Sequence, residues 1–248
     1  MDRKYWEDIA PNYNAEIFDV LNNDRSGVIV SAVKKFASPD KTVIDIGCAV
    51  GKWIPLLASG FKHVIAADIS AVNLKLAAEK CSDFNNVDYV RMDMSSDKLT
   101  VTPCDFAICI NAILTDSLKK RINFFQSLSL CVNPGGHIII VVPSIESALY
   151  SAFMFDQWKL RDNDPLTMSR PKNAVKKFNE LKRGVIDIDN VPTKHHQREE
   201  LIILLRQEGF VVENIEKVEY DWSTEFDDPP KWMKDPYPWD WMVVAKKM

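Results

Sequence analysis

Two rhythms of apolar and polar positions run through this chain. Short, mostly apolar runs at Thr42 to Ile46, His63 to Ala67, Val87 to Arg91, Cys104 to Ile110 and His137 to Val142 predict strands, since a strand buried on both faces loses strict alternation. Between them apolar positions recur three and four apart. Val28, Ile29, Ala32, Val33 and Phe36 stripe a helix ahead of the first strand, and Leu118, Ile122, Phe125 and Leu128 stripe another ahead of the fifth. The turn chemistry of "NPGG", Asn133 to Gly136, ends that helix and admits the fifth strand. Strands alternating with helices predict a parallel sheet covered on both faces.

After Pro143 the pattern changes. Residues 144–191 read as a mostly helical insertion, a cap rich in Phe, Tyr, Met and Trp. A further helix is predicted over Gln197 to Glu208, with Leu201, Ile202, Leu204 and Leu205 on one side and Gly209 placed to end it. Phe210 to Glu219 and Trp239 to Lys246 read as two last strands, and the proline-rich "DDPPKWMKDPYP" between them leaves no room for a crossover helix, so they pair antiparallel. The expected fold class is therefore α/β. It is a doubly wound, mostly parallel seven-stranded sheet with a C-terminal antiparallel edge hairpin and a helical cap, in one domain over residues 1–248.

Composition narrows the chemistry. The 248 residues are 46% hydrophobic and 27% charged, which suits one sizeable core. Cys48, Cys81, Cys104, Cys109 and Cys131 are odd in number and form no CxxC pair, so buried reduced thiols are expected and no metal site. A net charge of -4 argues against a nucleic-acid footprint. The basic run Lys172, Lys176, Lys177, Lys182 and Arg183 reads as a solvated helix face. "MDRKYWEDIA" has no apolar signal region and no run approaches the ~20 residues that span a bilayer, so a cytoplasmic location without a membrane partner is expected.

The chemistry itself starts at "VIDIGCAVGKW", Val43 to Trp53. A strand that ends in small residues and leads into a helix lets a ligand approach the backbone and meet the helix N-terminus. A triphosphate-binding loop needs GxxxxGK followed by Ser or Thr, whereas only three residues separate Gly47 from Gly51 and Trp53 follows Lys52. The dinucleotide pattern GxGxxG fails as well, because Ala49 stands at its second glycine.

What these residues resemble is the first motif of the class I S-adenosylmethionine-dependent methyltransferases, an acid followed by spaced glycines after strand one. Asp45, Gly47 and Gly51 match it, and Ala49 departs from it by one methyl group. Further matches follow in order: Asp68 closes strand two, Asp93 closes strand three, "CDFAICINAIL" ends in Asn111, and "YWEDIAPNYNAEIFDV" is similar to an N-terminal lid over residues 1–24. The resemblance implies S-adenosyl-L-methionine as cofactor, with S-adenosyl-L-homocysteine as product. It implies that Asp45 and the loop of Gly47, Cys48, Ala49 and Gly51 receive the methionine part. Asp68 and Ile69 would receive the ribose, Asp93 and Met94 the adenine, with Asn111 near the transferred methyl and Tyr13 folded over the ligand. Loop N–H groups from Gly47 to Gly51 are expected to face the methionine carboxylate.

Such a transfer needs no protein nucleophile, since the cofactor carries the activated group. His195 and His196, in "TKHHQREEL", are weighed as an acceptor's base against plain loop residues that start the next helix. A small-molecule acceptor and no nucleic acid are expected from the acidic balance and the cap. Alternatives are a protein or RNA acceptor, or a binding partner without turnover.

Overall fold

The computed structural model of the chain describes residues 2–97, 99–162, 179–188 and 190–248. Its main sheet contains β1 (Ser38–Ile46), β2 (Phe61–Asp68), β3 (Val87–Arg91), β4 (Cys104–Ile110), β5 (Val132–Pro143), β8 (Phe210–Glu219) and β9 (Trp239–Lys247), and a separate hairpin pairs β6 (Val185–Ile188) with β7 (Val191–Lys194). The seven strands lie in the order β3-β2-β1-β4-β5-β9-β8. The first five are mutually parallel, while β9 runs antiparallel to both β5 and β8. The α/β sheet with its antiparallel edge thus stands as the apolar runs predict.

Both faces of the sheet are covered. On one side α4 (Val28–Phe36) and α5 (Ile54–Gly60) bury Ile29, Val33, Ile54 and Leu57 against Val43, Val64 and Phe106. Phe106 is stacked between Phe36 and Phe61, at 5.2 and 5.4 Å between ring centroids. On the other side α7 (Leu118–Cys131) and α9 (Arg198–Gln207) bury Phe125, Leu128, Leu201 and Leu205 against Ile44, Ile138, Ile140 and Val243. Each such aliphatic or aromatic side chain contributes roughly 1.5–3 kcal/mol on burial, which explains why the continuous runs occupy the central strands.

Three serines fix where helices begin beside the strand ends. Ser70, Ser117 and Ser144 cap α6 (Ala71–Lys80), α7 and α8 (Ile145–Arg161) by accepting the amide hydrogens of Asn73, Lys120 and Ser147. All three helices therefore start at the carboxyl edge of the sheet.

Two expectations need correction. In α7 the buried face is Arg121, Phe124, Phe125, Leu128 and Cys131, while Leu118 and Ile122 are 64% and 43% exposed. The Ser117 cap and the Arg121 guanidinium, which donates to the Thr115 carbonyl at 2.9 Å, set that rotation. The segment expected to be mostly helical to Val191 instead ends in the β6–β7 hairpin, whose turn includes Asn190 at φ 66°. Its short strands carry Asp187 and Pro192, which break any apolar run a reader would recognise. Lys172, Lys176 and Lys177 lie outside the described residues. Among the described residues no helix is long and apolar enough to cross a membrane.

Candidate functional site

The loop after β1 turns on two glycines and one strained alanine. Gly47, Ala49 and Gly51 take φ of 76°, 48° and 83°, and a Cβ on Gly47 would stand 2.6 Å from that of Ala112. The turn thus brings the tip of β1 against the residues that follow β4. Its amides are already engaged: Gly47 and Cys48 both donate to Ala67 O, Gly51 donates to Cys48 O and Ala49 donates to Asp68 Oδ2 at 2.9 Å. Those four N–H groups are therefore spent within the chain, contrary to the expectation that they face a carboxylate. The loop offers shape and close approach instead.

Asp68, at the tip of β2, is the hub of this arrangement. Its Oδ1 accepts from Ser70 N at 2.8 Å and Asn73 Nδ2 at 3.4 Å, while Oδ2 holds Ala49 N. Burial raises its pKa against the lowering effect of those bonds. Asp45 lies deeper, 1% exposed, with no partner for Oδ2, and burial followed by the neighbouring Asp68 charge pushes its carboxyl up to about 7. Two close carboxylates resist ionising together.

One cavity opens over these strand tips. Its wall includes Gly47 and Ala49 after β1, Asp68 and Ile69 at β2, Asp93 and Met94 after β3, and Asn111 after β4. Tyr13 and Trp6, from the N-terminal segment, line it too, as do Asn73, Thr115, Lys120 and Phe124. Burial raises the Tyr13 hydroxyl's pKa. Lys52 lies under the Tyr13 ring at 5.8 Å and pairs with Asp19 at 2.8 Å, which ties the N-terminal segment to the glycine loop. Asp93 Oδ1 accepts both the amide and the hydroxyl hydrogen of Ser95. Cys48 and Gly51 are buried behind the wall, and Asp45 lies beneath it.

The cavity is rich in acceptors. Besides the Asp68 and Asp93 carboxylates it borders Asn73 and Asn111, each with an amide oxygen that is buried and unpartnered. A buried acceptor without a donor costs about 1–3 kcal/mol. That balance suits a cationic, donor-rich molecule.

The paired histidines do not line this cavity. His195 Nδ1 bonds to Thr193 O at 3.1 Å, and His196, fully buried, bonds through Nε2 to Ile113 O at 3.2 Å. Burial, followed by the neighbouring Lys194 charge, pushes the His196 pKa down to about 3, so it stays neutral. Leu114 O accepts from Lys194 N at 2.9 Å, next to the Thr115 carbonyl held by Arg121. Three successive carbonyls are thus held by hydrogen bonds, the last two in residues of the cavity wall. Among the described residues no group of three His, Cys, Asp or Glu converges to hold a metal.

Sequence reasoning missed Asn73, Thr115, Lys120 and Phe124 because nothing in a helix or loop pattern marks which side chains reach a neighbouring strand tip. The Ser caps of α6 and α7 were the available signal, since both helices start at this edge.

A family model described as a methyltransferase domain matches residues 21–178. A ribosomal protein L11 methyltransferase of Clostridium perfringens is 30% identical over 134 residues, 48% of this chain and 42% of that protein, so the matched stretch spans less than half of the curated relative. The N-methyltransferase NodS of Bradyrhizobium japonicum, solved in complex with S-adenosyl-L-homocysteine, is similar with a TM-score of 0.61 at 10% identity, over 99% of this chain and 97% of that one. Magnesium protoporphyrin IX methyltransferase of Synechocystis, solved with bound S-adenosyl-L-homocysteine, gives 0.61 at 15% identity over 99% and 97%. At these identities the likeness to the solved structures is one of fold.

Proposed function

The chain belongs to the methyltransferase domain family, and from that premise we propose that it binds S-adenosyl-L-methionine in the cavity at the strand tips and methylates a small-molecule acceptor. The observation that carries the cofactor assignment is the excess of acceptors there. Asp68, Asp93, Asn73 and Asn111 border one cavity, two of them with unpartnered amide oxygens, and Asp45 lies beneath with an unpartnered carboxylate oxygen. S-adenosylmethionine brings a sulfonium, an ammonium, two ribose hydroxyls and an adenine amine, a positive charge and donors that the Asp68 and Asp93 carboxylates of this wall can receive. The residues present therefore fit the group.

When bound, the cofactor supplies a methyl group on positive sulfur, and the acceptor's lone pair forms the new bond as the carbon–sulfur pair returns to sulfur. The chain's part is to hold, orient and exclude water. Asp45 and the turn at Gly47 would hold the methionine end, with the Asp45 carboxylate balancing the ammonium. Asp68 and Ile69 would hold the ribose, and Asp93 and Met94 the adenine. Tyr13 and Trp6 would cover the ligand from the N-terminal segment. An aromatic face over a cation is worth up to about 2 kcal/mol when desolvated.

A small acceptor is favoured by the acidic net charge, and α8 starts directly after β5 at the same edge of the sheet. The similarity to a ribosomal protein methyltransferase favours a protein acceptor as second reading. Incubation with tritiated cofactor and a cell extract separates them: label in the fraction below about 3 kDa supports the first, and label only on protein overturns it.

Isothermal calorimetry tests the site. Asp68→Ala, which releases Ala49 N, Ser70 N and Asn73 Nδ2 together, is expected to weaken S-adenosylhomocysteine binding by about 10- to 100-fold while the chain still unfolds cooperatively. Wild-type affinity in this variant would remove Asp68 from the site.

A further inference from the structure

The edge strand β8 pairs with β9 alone, and among the described residues nothing bonds to the outer side of its main chain from Phe210 to Ile215. Unpaired N–H and C=O groups along a strand invite another strand. Beside them a groove of about 490 Å³ runs between α9 and β8, and it shares no residue with the cavity at the strand tips. Its floor is apolar. Ile202 lines it from the helix, and Phe210, Val212 and Ile215 line it from the strand. Val212 and Ile215, three apart, both pack toward the α9 side because the β8–β9 register shifts between Val212 and Asn214. The Glu213 carboxylate of the same stretch lies 3.4 Å from His137 Nε2, and the His137 ring packs on Phe36 of α4, on the sheet's other face.

The helix flank of the groove is cationic. Arg198, Ile202 and Arg206 recur at four-residue intervals and so share one face of α9, with the two arginines about 12 Å apart along the axis. Both are exposed. Among the described residues the Arg206 side chain has no acidic partner, and the Arg198 guanidinium has only its exposed neighbour Glu199, at 3.4 Å. A strand added along β8 would turn every second side chain to the floor, and residues four apart in it would be separated by about 13 Å. That distance is close to the spacing of the two arginines, and the side chain halfway between falls over Ile202.

We propose that this groove docks an extended peptide of a partner protein, which adds a strand to β8 and carries carboxylates four residues apart for Arg198 and Arg206, with an apolar side chain midway between them. Main-chain bonds to β8 supply the affinity, and the alternate side chains supply the selectivity. A second copy of this chain, pairing antiparallel through its own β8, matches the groove poorly. The side chains it turns to the α9 side are again Phe210, Val212 and Ile215, which offer the arginines no negative charge, and its own Arg198 and Arg206 would come to the same face. The groove lies apart from the strand-tip cavity, so it holds a partner and not the reacting group.

The probe is a synthetic peptide, Thr-Glu-Thr-Val-Thr-Glu-Thr, amidated at its C-terminus and labelled with fluorescein at its N-terminus. Fluorescence polarisation with the full chain is expected to show it bound at least about tenfold more tightly than the same peptide with Gln for both Glu. Arg198→Ala and Arg206→Ala should each weaken it by about fivefold to tenfold, with thermal unfolding unchanged because both side chains are exposed. Methylating alternate backbone nitrogens separates strand addition from charge attraction alone. Of two peptides, one methylated at its Glu and Val residues and the other at its Thr residues, only one should lose binding, since successive N–H groups of a strand point to opposite sides. No binding at about 1 mM peptide, equal affinity for the Glu and Gln peptides, affinity untouched by both arginine variants, or two methylated peptides that behave alike would each overturn the proposal. A chain that sediments as a dimer and becomes monomeric on Val211→Lys would place a second copy on the edge and overturn it as well.

Discussion

Gly47→Val is expected to abolish cofactor binding, with a loss of at least about 100-fold in affinity. Two independent penalties meet at this position. The backbone stands at φ 76°, where a β-branched residue is strained, and even the first added carbon would lie 2.6 Å from the Ala112 Cβ. Ala112 belongs to the wall after β4, so relieving the clash moves β1's turn and that wall apart, and both line the cavity. Gly135 supplies the control, with φ 80° and nothing within 4 Å of an added Cβ. Gly135→Ala should lower stability by about 1 kcal/mol and leave binding alone. Calorimetry with S-adenosylhomocysteine, alongside thermal unfolding of both variants, separates strain from exclusion. A Gly47→Val protein that binds as well as wild type would refute the turn's role.

The second large effect concerns Asp45 and carries a sign that can be checked. Its carboxyl is pushed up to about 7 in the folded chain, against an ordinary value near 3.8. Between those two values the unfolded chain has released its proton while the folded chain keeps it. Stability from this group is therefore greatest at low pH, falls as pH rises from about 4 to about 7, and is level above that. The full span is on the order of 4 kcal/mol. Asp45→Asn should flatten this slope and be more stable than wild type at pH 8, as urea unfolding at pH 5 and pH 8 would show.

Binding should move the other way. A cofactor ammonium prefers the ionised carboxylate, so wild-type affinity is expected to drop as pH falls below about 7, by up to about tenfold per unit, and Asp45→Asn should be weak at every pH. A variant that is no more stable at pH 8, or that binds normally, would contradict the assignment.

How much of this was legible beforehand depends on the kind of signal. Strand tips were legible, because buried parallel strands read as apolar runs and the small or acidic residues after them stand out against that background. Asp68 and Asp93 were found this way and Asn111 through the resemblance of its motif, and all three line one cavity. Relations between side chains were not. The sequence shows Asp68 as a strand-end acid, but that its oxygens are taken by Ala49, Ser70 and Asn73 depends on how the loop folds back. Likewise the pair His195 and His196 read either as an acceptor's base or as loop residues, and only the structure shows that burial and the Ile113 carbonyl make His196 a brace. The β6–β7 hairpin was missed because four-residue strands interrupted by Asp187 and Pro192 carry no rhythm to detect.

The internally bonded turn after β1 has one more consequence. Since the amides of Gly47, Cys48, Ala49 and Gly51 have partners in the free protein, their hydrogen exchange should already be slow before any ligand arrives. Little ordering entropy is then left for that part of the cradle to lose on association. The element left to adjust is the stretch bearing Tyr13 and Trp6, whose neighbouring residues are held by the Asp19–Lys52 ion pair, by Phe18 against Tyr220 and by Val20 in the core, so the entry and escape rates of the ligand would be governed there rather than at the turn.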